Sequence, residues 1–368
     1  MPYSHVLFDG EPEAVACPDR SLEATYILPI RRETPMPDAD LAEMARYVQS
    51  LSAHVEVIIV DASPQLVFEG HGQAWGHFAR HLQPEMQTLN GKVANVLTGV
   101  RHARYDRLII ADDDVRYSLP QLARIVRELR YSDIVRPQNY FDPLPWHARW
   151  DTARSLLNRV TGGDWPGTLG VRRSILLSTG GYDGSVLFEN LELVRTINAA
   201  GGREAVPLDL FVRRLPPDAD HFWSQRTRQA YDELARPVRL LVWLSVLPAL
   251  LLIGARRQWG LFALGLLSLV GLAEAGRRRA NGAAVFPWTS TLFAPAWVLE
   301  RSICSWLAVG MRLTRGGVPY RGRVLQCAAT PVSVLEHRHR AVRTEHRRRV
   351  GIPTEMIDES EGSVDVSR

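Results

Sequence analysis

The composition of this chain breaks near Arg236-Pro237, and that break constrains what the rest can fold into. Upstream, polar and apolar residues are mixed as in a water-exposed domain. Downstream, residues 240–255 and 259–275 are nearly free of charge, and with flanking residues each approaches the ~20 residues that cross a bilayer core. Two such stretches joined through Arg256-Arg257, with Trp243 and Trp259, predict a membrane hairpin. A chain of 368 residues with 46% apolar content then divides into a globular domain with a sizeable core and a membrane part. The expected boundaries are an N-terminal extension (1–22), a globular domain (23–235), a membrane region (236–325) with spans at 239–256 and 258–275, and a basic then acidic disordered tail (326–368).

A third stretch, 285–312, is apolar but holds Pro287, Pro295, Glu300 and Arg301. Charges at mid-bilayer depth are costly, and Trp288, Trp297 and Trp306 suit the headgroup level. An interfacial amphipathic helix is expected there, or a third membrane helix. Arg277-Arg278-Arg279 and the basic run 337–349 belong on the cytoplasmic side; two spans satisfy both, and Arg256-Arg257 runs against that orientation. The N-terminus, with Asp9, Glu11 and Glu13, has no leader pattern, so the expectation is a multi-pass cell-membrane protein with its globular domain in the cytoplasm. Cys17, Cys304 and Cys327 match neither a zinc site nor a disulfide framework. The net charge of +4 is modest, with arginines crowding the last third, which suggests a membrane surface and no nucleic acid. The eleven histidines form no metal constellation and read as surface residues.

In residues 23–235, short apolar runs alternate with helical patterns, the signature of an α/β domain with a largely parallel sheet. Strands are expected at 24–30, 55–60 and 108–111, and helices at 40–51 and 92–103. The third strand ends in Asp112, Asp113 and Asp114. Packed carboxylates at the mouth of a sheet call for a cation, here expected to be a divalent metal. Ligands in such sheets bind at the carboxyl ends of strands, so Pro29, Asp61 and the aspartates should meet in one crevice. No phosphate-binding glycine fingerprint follows the first strand, which excludes a dinucleotide reductase. Lys92, the chain's one lysine, opens a helix after Gly91, where it can meet a diphosphate beside the positive helix end.

Together, over residues 24–231, these features resemble the family 2 glycosyltransferases, inverting enzymes with a GT-A domain, and within them the membrane-anchored, ceramide-glucosyltransferase-like and polyprenyl-phosphate-dependent members. The strand ending at Pro29, the strand ending at Asp61, Gly91-Lys92 and the aspartates stand in that family's order. The resemblance implies a Rossmann-like nucleotide-sugar domain in which Asp61 contacts the base and Lys92 the donor. It maps the DxD motif onto Asp112 and Asp114 as holders of Mn2+ or Mg2+, with Asp113 in the variable middle position among the donor-binding residues. Lewis-acid help suits the departing diphosphate.

Inverting transfer also needs a carboxylate base opposite the leaving group. Phe188-Glu189-Asn190-Leu191-Glu192-Leu193 resembles the family's E-D-x-x-L motif, with Asn190 where the base aspartate usually stands. Glu189 is the first choice for the base and Glu192 the second; Asp183 reads as a turn residue. The glycine-rich loop 162–168 should shape the acceptor pocket. Gln225-Arg226-Thr227-Arg228-Gln229 resembles the QxxRW segment with Gln229 in place of tryptophan, which gives Gln225 and Arg228 to the donor. The reading is transfer of one sugar from a UDP-sugar to a membrane lipid or lipid-linked acceptor. Its rivals are a polysaccharide-forming transferase, a nucleotidyltransferase, and a catalytically silent nucleotide-sugar-binding membrane protein.

Overall fold

The structure, a computed structural model, describes residues 22–320 and 323–350. Strands β1 (Thr25–Ile30), β2 (Glu56–Asp61), β3 (Arg80–Leu82) and β4 (Arg107–Ala111) pair in parallel in the order β3-β2-β1-β4. Helices α1 (Asp38–Ser52), α2 (Gln65–Trp75) and α3 (Gly91–His102) alternate with them. Every residue of β1 and β2 is buried, as parallel strands covered on both faces require. The two-residue period of β1 sorts its side chains: Tyr26 and Leu28 pack with Met44, Val48 and Leu51 of α1, while Ile27 packs with Val93, Val96 and Val100 of α3. Gly99 lets α3 approach the sheet, since a Cβ there would lie 2.6 Å from Ile27.

These elements fall where the apolar periodicity predicts them, but the sheet is mixed and not largely parallel. The chain next forms β5 (Val115–Arg116), helix α4 (Leu119–Glu128), β6 (Ile134–Val135), β7 (Gln138–Phe141) and helix α5 (Trp146–Arg159). It then re-enters the sheet as β8 (Thr168–Arg172), antiparallel to both β4 and β6. Strand β8 starts beside Ala111, at the carboxyl end of β4, so it runs opposite to β4. Helices α6 (Arg173–Ser178) and α7 (Glu189–Ala199) follow, then β9 (Glu204–Ala205), β10 (Phe211–Arg214) and helix α8 (Ala219–Tyr231). Strand β9 extends the main sheet beside β6. Strand β10 pairs with β5 and β7 in a small second sheet, with Arg214 opposite Val115. Strands of two residues carry too little periodicity to be read from sequence.

The composition break coincides with the start of α9 (Pro237–Ala255), whose proline occupies a first-turn position. With α10 (Trp259–Arg278) it makes the expected pair of long apolar helices, and α9 has no buried residue. Arg279 returns to the globular domain, donating from Nη1 to the carbonyls of Arg159 and Val160. The third stretch forms a short 3-10 turn and then α11 (Ala294–Arg315), a third helix long and apolar enough to cross a membrane. Unlike α9, α11 buries half of its apolar window. Glu300 lies 3.6 Å from Arg226 of α8 and accepts from the Trp150 indole of α5 at 3.0 Å.

After a hairpin of β11 (Val318–Tyr320) and β12 (Arg323–Leu325), the chain returns to the α/β domain. The amides of Leu187 and Phe188 donate to the carbonyls of Cys327 and Ala328. Helices α12 (Val332–Arg338) and α13 (Arg340–Val350) follow, with Leu335 buried. This corrects the expected disorder for residues 326–350: backbone pairing and Leu335 tie the segment down despite its charge. Residues 1–21 and 351–368, including the rest of the expected tail, lie outside the described residues.

Candidate active site

A crevice of about 690 Å³ opens at the carboxyl ends of β1 and β4. Pro29, Lys92, Asp112, Asp113, Glu189, Gln225 and Arg228 all line it, so the fold gathers most of the residues singled out in the sequence. Asn90 caps α3 by accepting from the Lys92 amide and fixes the start of the helix that carries Lys92. The Lys92 ammonium stands 2.5 Å from Asp112 Oδ1 and 2.7 Å from Glu189 Oε1. Burial pushes its pKa down, but the two carboxylates prevail and raise it above the ordinary lysine value. Lys92, Asp112 and Glu189, spread over about a hundred residues of sequence, thus form one chain of charge.

Fixed cations neutralise much of the aspartates' charge. Besides Lys92, Arg214 reaches Asp112 at 3.5 Å and Asp114 at 2.9 Å, and Arg32 pairs with Asp113. Strand β10 delivers Arg214, about a hundred residues downstream, and no sequence signal marked it. Gly167 permits this packing: a Cβ there would lie 2.6 Å from Asp112 Oδ2 and 3.0 Å from Arg214 Cζ. Burial lifts the Asp114 carboxyl to about 6; Arg214 opposes the rise, and Asp112 and Asp113 add to it.

No group of three or more His, Cys, Asp or Glu side chains forms a ready metal cage among the described residues. Asp112 and Asp114 nevertheless fit a divalent cation. Asp114 Oδ1 is buried without a hydrogen-bond partner, and Mg2+-like ions commonly take one or two carboxylates plus substrate phosphates.

Asp61 is held by interior partners. Its side chain is fully buried and accepts from the Ser63 amide at 2.9 Å, from His71 Nδ1 at 2.7 Å and from His81 Nε2 at 3.1 Å. Burial raises this carboxyl, but the hydrogen bonds from His71, His81 and Ser63 hold it well below the usual carboxylate range. An ionised carboxylate only accepts, so both imidazoles donate. Asp61 borders a neighbouring cavity with Gln83, Gln87 and Asn95, with its carboxylate engaged by the two histidines. His71 and His81 are therefore interior residues, contrary to the surface reading.

A second, smaller chamber of about 160 Å³ lies on the other side of Asp112 and Glu189. Residues 164–167 of the glycine-rich loop form one wall, and Arg154, Gln229, Asp232, Arg236 and Arg301 line the rest. Glu189 and Arg228 border both spaces. The Asn190 amide donates to the Pro166 carbonyl, so it holds the loop. Burial lifts the Asp232 carboxyl to about 7, with Arg228 opposing and Glu189 adding to the rise.

Glu192 lies elsewhere. It is fully buried, lines neither space, and accepts from the Thr330 amide at 2.7 Å. Burial raises its pKa against that hydrogen bond. Its place inside the helix turns it toward the returning C-terminal segment and away from the crevice. Arg226 is also interior, 2.9 Å from Asp151. Asp183 holds a turn, accepting from the Ser185 amide and hydroxyl.

Residues 77–135, which include Lys92 and the three aspartates, match the family model described as Glycosyl transferase family 21. No functionally curated protein is similar to the chain. Among solved structures, a mannosyltransferase from Pyrobaculum calidifontis, in complex with GDP-Man and Mn2+, is 18% identical, with a TM-score of 0.45 over 78% of this chain and 88% of that one. Glucosyl-3-phosphoglycerate synthase from Mycobacterium tuberculosis, with Mn2+ and UDP, is 18% identical, with a TM-score of 0.37 over 54% of this chain and 74% of that one. The match over residues 77–135 bears out the glycosyltransferase resemblance, on its ceramide-glucosyltransferase-like side. The fold expectation of an α/β domain followed by long apolar helices also holds.

Proposed function

We propose that this chain, whose residues 77–135 match a family 21 glycosyltransferase model, transfers a sugar with inversion from a UDP-sugar to a membrane lipid or lipid-linked acceptor. The observation that carries this reading is the Asp112–Lys92–Glu189 chain, which stands where the donor crevice meets the chamber beside α11. The strand-end crevice takes the donor, with Pro29, Asp112, Asp113, Gln225 and Arg228 in its wall. Asp112 and Asp114 would hold Mn2+ or Mg2+, which when bound supplies Lewis-acid stabilisation of the departing diphosphate.

The chain's own residues do the remainder. Lys92 holds Asp112 and Glu189 in fixed relation, which orients donor and acceptor sides before either ligand arrives. Glu189 Oε1 is held by Lys92, which leaves Oε2 to take the proton from the acceptor hydroxyl. Arg228, bordering both spaces, balances charge that develops on the leaving oxygen. Asn190 lacks a basic oxygen of that strength and anchors the loop instead.

The apolar surfaces of α9 and α10 support a membrane position with the catalytic domain on the cytoplasmic face, the side given by the arginines at 277–279. A tethered crevice meets a membrane-confined acceptor at high effective concentration. Three long apolar helices are few for a polysaccharide channel, which favours single-sugar transfer. The test is UDP release by the full-length protein from a panel of UDP-sugars with Mn2+. Release that depends on added lipid extract is expected; UDP-sugar binding without release would instead support the silent binding protein.

A further inference from the structure

The chain leaves the α/β domain for its apolar helices after Ala235 and packs back onto that domain through residues 326–330, and one side chain of α7 holds both points. Arg195 donates from Nη1 to the Thr330 carbonyl at 2.9 Å and from Nη2 to the Ala235 carbonyl at 2.8 Å. The Thr330 amide in turn donates to Glu192 of the same helix at 2.7 Å. Glu192 and Arg195, three residues apart, share a helix face, so α7 takes both backbone groups of Thr330, which is only 7% exposed.

Helix α7 opens on Glu189, and Phe188 at its N-cap makes no side-chain cap hydrogen bond. Its direction is therefore set by the contacts around it. From the donor side, the Asn90 side-chain amide donates to the carbonyls of Val186 at 3.1 Å and Leu187 at 3.3 Å, and Lys92 pairs with Glu189. From the other side, the returning segment accepts the amides of Leu187 and Phe188 on Cys327 and Ala328. The Tyr231 hydroxyl and Arg312 both donate to the Gln326 carbonyl at 2.9 Å, which ties the same segment to α8 and α11. Glu189 lies where the two sets of contacts meet.

Arg195 lines neither the crevice nor the chamber and follows Glu189 by six residues, about 9 Å along the helix. A guanidinium is a rigid fork of donors, so it can fix two carbonyls at a set separation, which a single ammonium does not. We propose that Arg195 is a positioning residue for transfer to the membrane acceptor: by clipping together the exit and the return of the apolar helices, it sets α7, and with it Glu189, against the bilayer surface. The assignment rests on the reading that the acceptor is a membrane lipid. The donor crevice is built from other residues and does not depend on the clip.

The test uses full-length protein in phosphatidylcholine vesicles carrying membrane lipid extract, with UDP-sugar and Mn2+, assayed well below each variant's melting temperature. Arg195→Met should lower kcat for lipid glycosylation by about tenfold to a hundredfold, as expected for a base displaced from its acceptor, with UDP affinity in a separate titration unchanged. Arg195→Lys should recover only part of that loss. A folded Arg195→Met that melts earlier but transfers at the wild-type kcat overturns the assignment, and so does a parallel loss of UDP affinity or full activity in Arg195→Lys. Should Arg195→Met fail to fold, Arg195→Lys decides alone on the same two readouts. Transfer by wild type and Arg195→Met alike removes only this assignment, whereas a wild type that binds UDP and glycosylates no lipid removes the proposed function and the assignment with it.

Discussion

Lys92→Met is the most informative perturbation, because it removes the cation shared by Asp112 and Glu189 at 2.5 and 2.7 Å. Breaking a buried pair by removing one partner costs about 3–5 kcal/mol. The Lys92 side chain keeps 21% exposure and Asp112 retains Arg214 at 3.5 Å, so a loss of about 2 kcal/mol is expected. For a domain of this size that is about 4–8 °C in melting temperature. The pH dependence has a definite sign. In the wild type the raised Lys92 pKa stabilises the fold at all pH values below the unfolded lysine pKa, and this is lost as pH rises through the folded value. In the variant Asp112 and Glu189 stand with no cation between them, so the deficit is expected from neutral to mildly alkaline pH, below the lysine range. Differential scanning fluorimetry of the full-length protein across that range gives the curve, and sugar transfer should fall by about 10²-fold or more. A melting curve matching the wild type at neutral pH, with transfer retained, would refute the charge chain.

Three further outcomes follow from the same geometry. The Asp114 carboxyl titrates at about 6 when folded against ~3.9 unfolded, so its ionisation destabilises the metal-free fold as pH rises between those values. Asp114→Asn should therefore raise the melting temperature at neutral pH while removing the response to Mn2+, measured by fluorimetry and by transfer. Gly167→Ala would press a methyl group against Asp112 and Arg214; it should cost about 1–3 kcal/mol by thermal melting and reduce UDP binding. Glu189→Gln should abolish transfer with little loss of stability, whereas Glu192→Gln should alter stability and leave the chemistry largely intact, as kcat and melting temperature would separate.

The half of the site that lies on regular elements was legible in the sequence. Apolar periodicity located β1, β2, β4 and α3, and strand ends in an α/β sheet converge, so Pro29, Asp112 and Asp113 line one crevice as expected, with Lys92 beside them, while Asp61 borders the neighbouring cavity. What escaped was whatever depends on packing between distant segments. Arg214 reaches the aspartates only because β10 pairs with β5, and two-residue strands leave no periodic trace. His71 and His81 looked scattered, yet α2 and β3 aim both at Asp61. Nor does the basic composition of 326–350 show that Thr330 would cap Glu192 or that Leu335 would be buried. The inference that carboxylates need a cation was right in its electrostatics; the fold supplies much of that charge from arginine and lysine.

Mass spectrometry of lipids extracted from membranes carrying the full-length protein, supplied with UDP-sugars and Mn2+, tests the central claim most directly. The account predicts a lipid species heavier by one sugar residue that is absent with Asp112→Asn or Glu189→Gln. A lipid profile identical for wild type and both variants, under conditions where the wild type binds UDP, would contradict it.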